Sequence, residues 1–211
     1  MDATKVVLHE MDTLRHELQH LKLCQVRYFL FSITVTGALV GTLSRSEASS
    51  HAMYLAPLIV VIPCWWIFFD KAATITRIVG YYRLLEMMLT GEGRHRYCGW
   101  ERALADFRRW QEDGRLKSVQ ANSKPGADSA IRLLRLNSPH RYWVINWYTF
   151  LMLSLVCITL SASSLGFVSM AAVVAVVGWS AYANFCAIND LVFGDASYDA
   201  NEKYWVAILA P

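Results

Sequence analysis

The sequence predicts an all-α membrane protein with four transmembrane helices arranged in two hairpins. Three observations predict it. The chain is 55% hydrophobic and 18% charged, against roughly 45–50% and ~25% for soluble domains. Its charges leave three long gaps: none lies between Arg27 and Arg45, none between Glu47 and Asp70, and none over the 48 residues between Arg141 and Asp190. Finally, 14 of the 20 Lys and Arg fall within residues 70–141, the asymmetry of a loop retained on the cytoplasmic side.

Residues 1–26 read as a cytoplasmic juxtamembrane helix. Val7, Met11, Leu14, Leu18 and Leu21 recur at spacings of 4-3-4-3, the pattern of a seam that packs on another helix. The seam can serve packing within one subunit or between subunits of a coiled-coil homo-oligomer. No Gly or Pro separates it from the first span, so one helix is expected from about residue 3 to 44. The apolar stretch begins after a long polar segment, which argues for a retained span rather than a cleaved signal.

Residues 27–70 form the first hairpin, with spans near 27–45 and 52–70, each close to the ~20 apolar residues that ~30 Å of hydrocarbon requires. Gly37 and Gly41 make a GxxxG pair, which lets helix backbones approach closely, within or between subunits. Pro57 and Pro63 are expected to kink span two. Asp70 and Lys71 fall where the hydrocarbon ends, with Thr74 one turn and Arg77 two turns beyond Asp70. Charges at this depth pair or face water. Asp70, Lys71 and Arg77 are thus either a candidate pore mouth or plain interfacial anchors.

The run from Pro63-Cys64-Trp65-Trp66-Ile67-Phe68-Phe69-Asp70-Lys71 to Thr76-Arg77-Ile78-Val79-Gly80-Tyr81-Tyr82-Arg83-Leu84-Leu85-Glu86 resembles a group of uncharacterised prokaryotic multi-pass membrane proteins. That group shares the juxtamembrane helix and the Trp100…Phe107-Arg108 helix, and no activity goes with it. More loosely, a helix leading into two close spans resembles the SLATT-type membrane effectors of prokaryotic conflict systems, which implies a pore-forming role. Two further spans depart from that plan.

Residues 71–141 form a basic amphipathic helical module, net +6 over 70–141. Ile75, Ile78, Val79, Tyr82, Leu85 and Leu89 continue a helical stripe to Gly91. A second helix runs from about Tyr97 to Glu112, with Trp100, Leu104, Phe107 and Trp110 on one face. A polar linker, 114–128, precedes a short helix, Ser129–Leu136, carrying Ile131, Leu134 and Arg135. The last two helices are expected on the inner leaflet, with arginines on anionic lipid headgroups. Positive-inside bias explains the charge without nucleic acid.

Residues 142–188 form the second hairpin, with spans near 142–162 and 166–188 and a turn at Ser161–Gly166. Asn146 and Asn184 are expected to bond another helix. Residues 189–211 form a cytoplasmic tail. Loops 45–51 and 161–165 hold one basic residue between them. Both termini are therefore expected inside, in a prokaryotic inner membrane. Tyr28, Trp65, Trp66, Trp143, Trp147, Trp179 and Tyr182 agree, gathering toward the inner interface. Cys24, Cys64, Cys98, Cys157 and Cys186 lack the spacing of a zinc site and predict no disulfide.

The sharpest enzymatic motif is His16-Glu17-Leu18-Gln19-His20, an HExxH match that resembles the zincin metallopeptidases over five residues. On a helix the two His lie one turn apart and can hold zinc, with Glu17 as general base. The heptad register puts His16 and His20 on the outward face, however, where such enzymes turn them into a cleft. No third ligand is marked by spacing. The spans carry no mid-depth charge of the kind proton-coupled transporters use, and no P-loop, GxSxG or GxGxxG occurs. The expectation is a non-enzymatic oligomeric effector, channel-like element or scaffold without a cofactor, partnered by the bilayer and by copies of itself. The alternative is a membrane zinc metallopeptidase using His16, Glu17 and His20.

Overall fold

The computed structural model describes residues 3–45, 51–90, 106, 107, 110 and 141–209. Regular structure among them is helical throughout: α1 (Ala3–Leu43), a 3-10 turn (His51–Leu55), α2 (Leu58–Thr90), α3 (Arg141–Ser161), α4 (Phe167–Phe193) and α5 (Tyr198–Ile208). The helices α1 to α4 are each long and apolar enough to cross a membrane. The expected breaker Gly91, the linker 114–128, the helix 129–136 and most of the helix 97–112, with Trp100 and Leu104, lie outside the described residues.

The first helix has 41 residues and the second 33. At 1.5 Å per residue they measure about 60 and 50 Å, well beyond a span's need of ~30 Å. Pro57 starts α2 rather than kinking it. Its carbonyl accepts from Val60 and Val61, and its missing N–H costs nothing in a first turn. Pro63 lies inside the helix, which continues past it.

The chain divides into two compact units. The spanning unit draws on the described parts of residues 24–71 and 130–188. Trp65, Phe68 and Phe150 fill its core and are wholly buried. Trp65 stacks on Phe150 with ring centroids 5.8 Å apart, and Phe29, Trp143 and Trp147 meet these rings edge-on or tilted. Among helices already solvated by lipid, association rests on such packing and on hydrogen bonds. Three bonds cross between helices here. Gln25 Nε2 donates to the Phe68 carbonyl at 2.9 Å, Trp147 Nε1 to the Ala181 carbonyl at 3.0 Å, and Trp66 Nε1 to Ser180 Oγ at 3.3 Å. Asn146 and Asn184 correct an expectation. Each amide donates to its own helix one turn back, at 2.7 Å to Tyr142 and 2.8 Å to Ser180. A short amide satisfies itself locally, while the longer Gln and the indoles reach across.

The terminal unit draws on the described parts of residues 1–23, 72–129 and 189–211. Its core joins Val7 and Leu14 of α1, Ile78, Tyr81, Leu84 and Leu85 of α2, and Ala200, Tyr204 and Trp205 of α5, with Phe107. Met11, Leu18 and Leu21 pack against it. The 7–21 seam is therefore filled from within the chain, by α2 and α5. Phe107 and Trp110 also pack in this core.

Candidate functional site

The densest arrangement of chemistry-bearing side chains lies where α5 crosses the second half of α2. Gly80 makes the crossing close. A Cβ at that position would stand 2.8 Å from Asn201 Cβ and 2.9 Å from the backbone of Asn201 and Glu202. Only a residue without a side chain lets two helix backbones meet so tightly. One turn along, Trp205 is wholly buried and donates Nε1–H to the Arg77 carbonyl at 2.9 Å. Its ring meets Tyr81 at 5.1 Å and Phe107 at 4.8 Å between centroids.

Charge surrounds this crossing. Arg83 Nη1 reaches Glu202 at 3.0 Å and Asp199 at 3.3 Å, and its guanidinium lies 5.7 Å from the Tyr198 ring centre. Asp199 is 85% exposed, so its pair with Arg83 contributes little, ~0–1 kcal/mol. Burial of Trp205 dominates: an aromatic of ~150–250 Å² at ~25 cal/mol/Å² gives about 4–6 kcal/mol. Burial also raises Tyr198, against the opposing pull of Arg83, and pushes Tyr204 up to about 12. Neither hydroxyl is suited to proton transfer near neutrality.

The α5 segment starts at Ser197, whose hydroxyl caps it by accepting from the Ala200 N–H at 3.3 Å. Sequence reasoning left 189–211 as an undifferentiated tail. The signals were present: Ser before a first-turn acid, Asp199, and Asn201, Tyr204, Trp205 and Ile208 at spacings of 3-1-3.

The predicted site residues separate between the units. In the spanning unit Asp70 is exposed, with Lys71 Nζ 4.0 Å from its carboxylate. Arg77 belongs to the terminal unit, where its guanidinium lies over Phe107 at 4.9 Å. A guanidinium on an aromatic face is a stable arrangement. His16, Glu17 and His20 are all exposed on α1. His16 Nε2 sits 3.9 Å from Asp12. Among the described residues no group of three His, Cys, Asp or Glu side chains converges to hold a metal, and a catalytic zinc needs three protein ligands. Among the described residues nothing encloses the HExxH side chains in a cleft.

Gly37 and Gly41 face outward on α1, and a Cβ at either would meet nothing within 4 Å. The close approach that they permit is not used among the described residues. The spanning unit also carries an open groove of about 340 Å³ lined by Leu55, Leu58, Ile59, Ile62, Ala172, Val173, Val176 and Val177. Its lining is aliphatic throughout and offers no group for acid–base, nucleophilic or metal chemistry.

Compared with protein-family models, curated proteins and solved structures, the chain shows no match.

Proposed function

We propose that the protein is a non-enzymatic, multi-pass component of a prokaryotic inner membrane that acts as a homo-oligomer, an effector or channel-like element associating through the Gly37/Gly41 face of α1. The open glycine pair carries this reading. Two glycines one turn apart, turned outward with free space above both, suit the close approach of a helix from another subunit. The 7–21 seam is occupied within the chain, which leaves the glycine face as the better interface.

Two further observations support it. The core of the spanning unit is filled by Trp65, Phe68 and Phe150, so any conducting path runs between subunits. The N-terminal part of α1, the second half of α2 and α5 share one core. That shared core supports one aqueous side for all three, as an even number of spans requires. The basic composition of 70–141 makes that side the cytoplasm. The resemblance to uncharacterised prokaryotic membrane proteins and to SLATT-type effectors points the same way.

The test pairs particle mass with conductance. The wild-type chain in detergent is expected to run as an oligomer, and Gly37→Leu with Gly41→Leu as a monomer of unchanged helicity. Reconstituted wild type should conduct in planar bilayers and the double variant should not. A monomeric wild type, or an oligomer indifferent to both substitutions, refutes the interface. An oligomer without conductance leaves a scaffold in place of a channel.

A further inference from the structure

We propose that α5 is a two-state latch: docked on α2 it is helical, and released it unfolds, without unfolding the rest of the terminal unit. Three observations carry this inference, and none depends on whether the protein oligomerises or conducts.

The first is length. The α5 helix has 11 residues, and isolated helices shorter than about 12–15 residues are marginal in water. Its helicity therefore depends on what it docks against. Release and melting are one event.

The second is how the docking contact is concentrated. One face of the short helix makes it: Trp205, wholly buried, with Ala200, Asn201 and Tyr204 buried beside it, the Gly80–Asn201 crossing, and the bond from Trp205 Nε1 to the Arg77 carbonyl. All of these groups lie within one 11-residue helix with Trp205 as the largest, so the contact is lost as a unit when the helix leaves. Of the flanking pairs, that of Arg83 with Asp199 is exposed and that with Glu202 part-buried, and ion pairs of this kind are weak beside a buried aromatic.

The third is the independence of what remains. The α1 seam has its own bonds to α2. Tyr81 donates to Glu10 at 3.3 Å, and Arg15 Nη2 to the Tyr82 hydroxyl at 3.0 Å. Leu14 stays packed with the α2 side chains of the same core. At the other end, α5 is tied to α4 by a hydrogen-bonded corner, with Gly194 N–H donating to Asp190 and Ser197 N–H to Gly194. This corner keeps a released α5 beside its dock. Release uncovers Tyr81 and Phe107, the two rings that Trp205 meets, so the switch presents an aromatic surface that the docked state hides.

Hydrogen exchange of the full chain in detergent, read by mass spectrometry, tests the latch. In the wild type, amides of 198–208 should exchange together through an opening that leaves 3–23 and 72–90 protected. Trp205→Ala should speed exchange of 198–208 by about 100-fold or more, the consequence of removing a buried aromatic, while 3–23 and 72–90 keep their protection. Trp205→Phe, which retains most of the apolar surface and loses the N–H, should fall between. The proposal fails if the three segments of the wild type exchange as one, or if Trp205→Ala leaves 198–208 unchanged. Should Trp205→Ala not fold, the wild-type pattern alone decides.

Discussion

Gly80 and Asn201 stand so close that a Cβ on the glycine would meet the asparagine Cβ at 2.8 Å. The obstruction includes Asn201 and Glu202 backbone atoms at 2.9 Å, which cannot rotate away as a flexible side-chain tip can. Gly80→Ala should therefore destabilise the terminal unit by ~1–3 kcal/mol, as overpacking does, even though alanine is the better helix former. Gly80→Val should cost more. Thermal unfolding in detergent measures both. A rise in Tm for Gly80→Ala would show that the crossing is looser than described.

Leu14 and the glycine pair make a contrast. Leu14 is buried in the terminal unit's own core. Leu14→Asp should lower stability by ~3 kcal/mol or more through an unpaired buried charge, with no change in particle mass at temperatures where the protein stays folded. Gly37→Leu should change mass and spare the fold. Size-exclusion chromatography with light scattering, beside a melting curve, separates the two effects.

How much of this was legible beforehand depends on how far each interaction reaches along the chain. The charge gaps and the 4-3-4-3 stripe of Val7 to Leu21 are local patterns, and they place α1 and α3 to within a residue or so, whereas α2 starts at Leu58 rather than 52 and α4 runs to Phe193 rather than 188. Which surface the stripe would meet was not local. It is met by Tyr81 and Trp205, dozens to nearly two hundred residues away. Gly80 reads in sequence as a mild defect inside a helix and gains its meaning only once Asn201 is opposite. Spacing along one helix places Arg77 two turns from Asp70 but cannot show that Phe107 supplies the ring it lies over. The asparagines misled for a related reason. Polarity in a span signals a bond, and residue type alone does not say whether the acceptor lies on the same helix.

Gln25 offers a test of polar bonding inside the spanning unit. Its side chain is buried and crosses from α1 to the Phe68 carbonyl of α2. Gln25→Leu keeps the apolar bulk and loses the bond. The expected loss is about 0.6 kcal/mol and no more than ~1.7, the range for hydrogen bonds between membrane helices. Unfolding in mixed detergent reads this out, and a larger loss would mean that Gln25 positions the α1–α2 hairpin beyond that one bond.

The exposed His16, Glu17 and His20 predict near indifference. His16→Ala, His20→Ala and Glu17→Gln should each change stability by less than ~0.5 kcal/mol, as surface substitutions do. The purified protein should carry no stoichiometric zinc, measured by elemental analysis. Zinc at one equivalent, lost in His16→Ala, would revive the metallopeptidase reading.

Tyr204 gives a pH dependence with a definite sign. Burial holds its hydroxyl at about 12 in the folded chain, against 10.0 unperturbed. Between those values the unfolded chain has released a proton that the folded chain keeps. Fewer protons bound in the unfolded state means that stability falls as pH rises. The effect is absent below pH 10 and complete near 12. Tyr204→Phe should flatten this part of the profile. Tyrosinate absorbance followed against pH, variant beside wild type, assigns the late-titrating group.

The terminal unit is stitched from stretches of chain near residues 10, 80 and 205, and this dictates an order of events during synthesis. The ribosome emits the Val7–Leu21 stripe long before Trp205 exists, so the nascent chain carries an uncovered apolar ridge while the later spans are still being threaded. That interval suits a holding chaperone. A break in the reading frame beyond residue 193 would leave every span intact, yet would strip the earlier two-thirds of this bundle of its last wall.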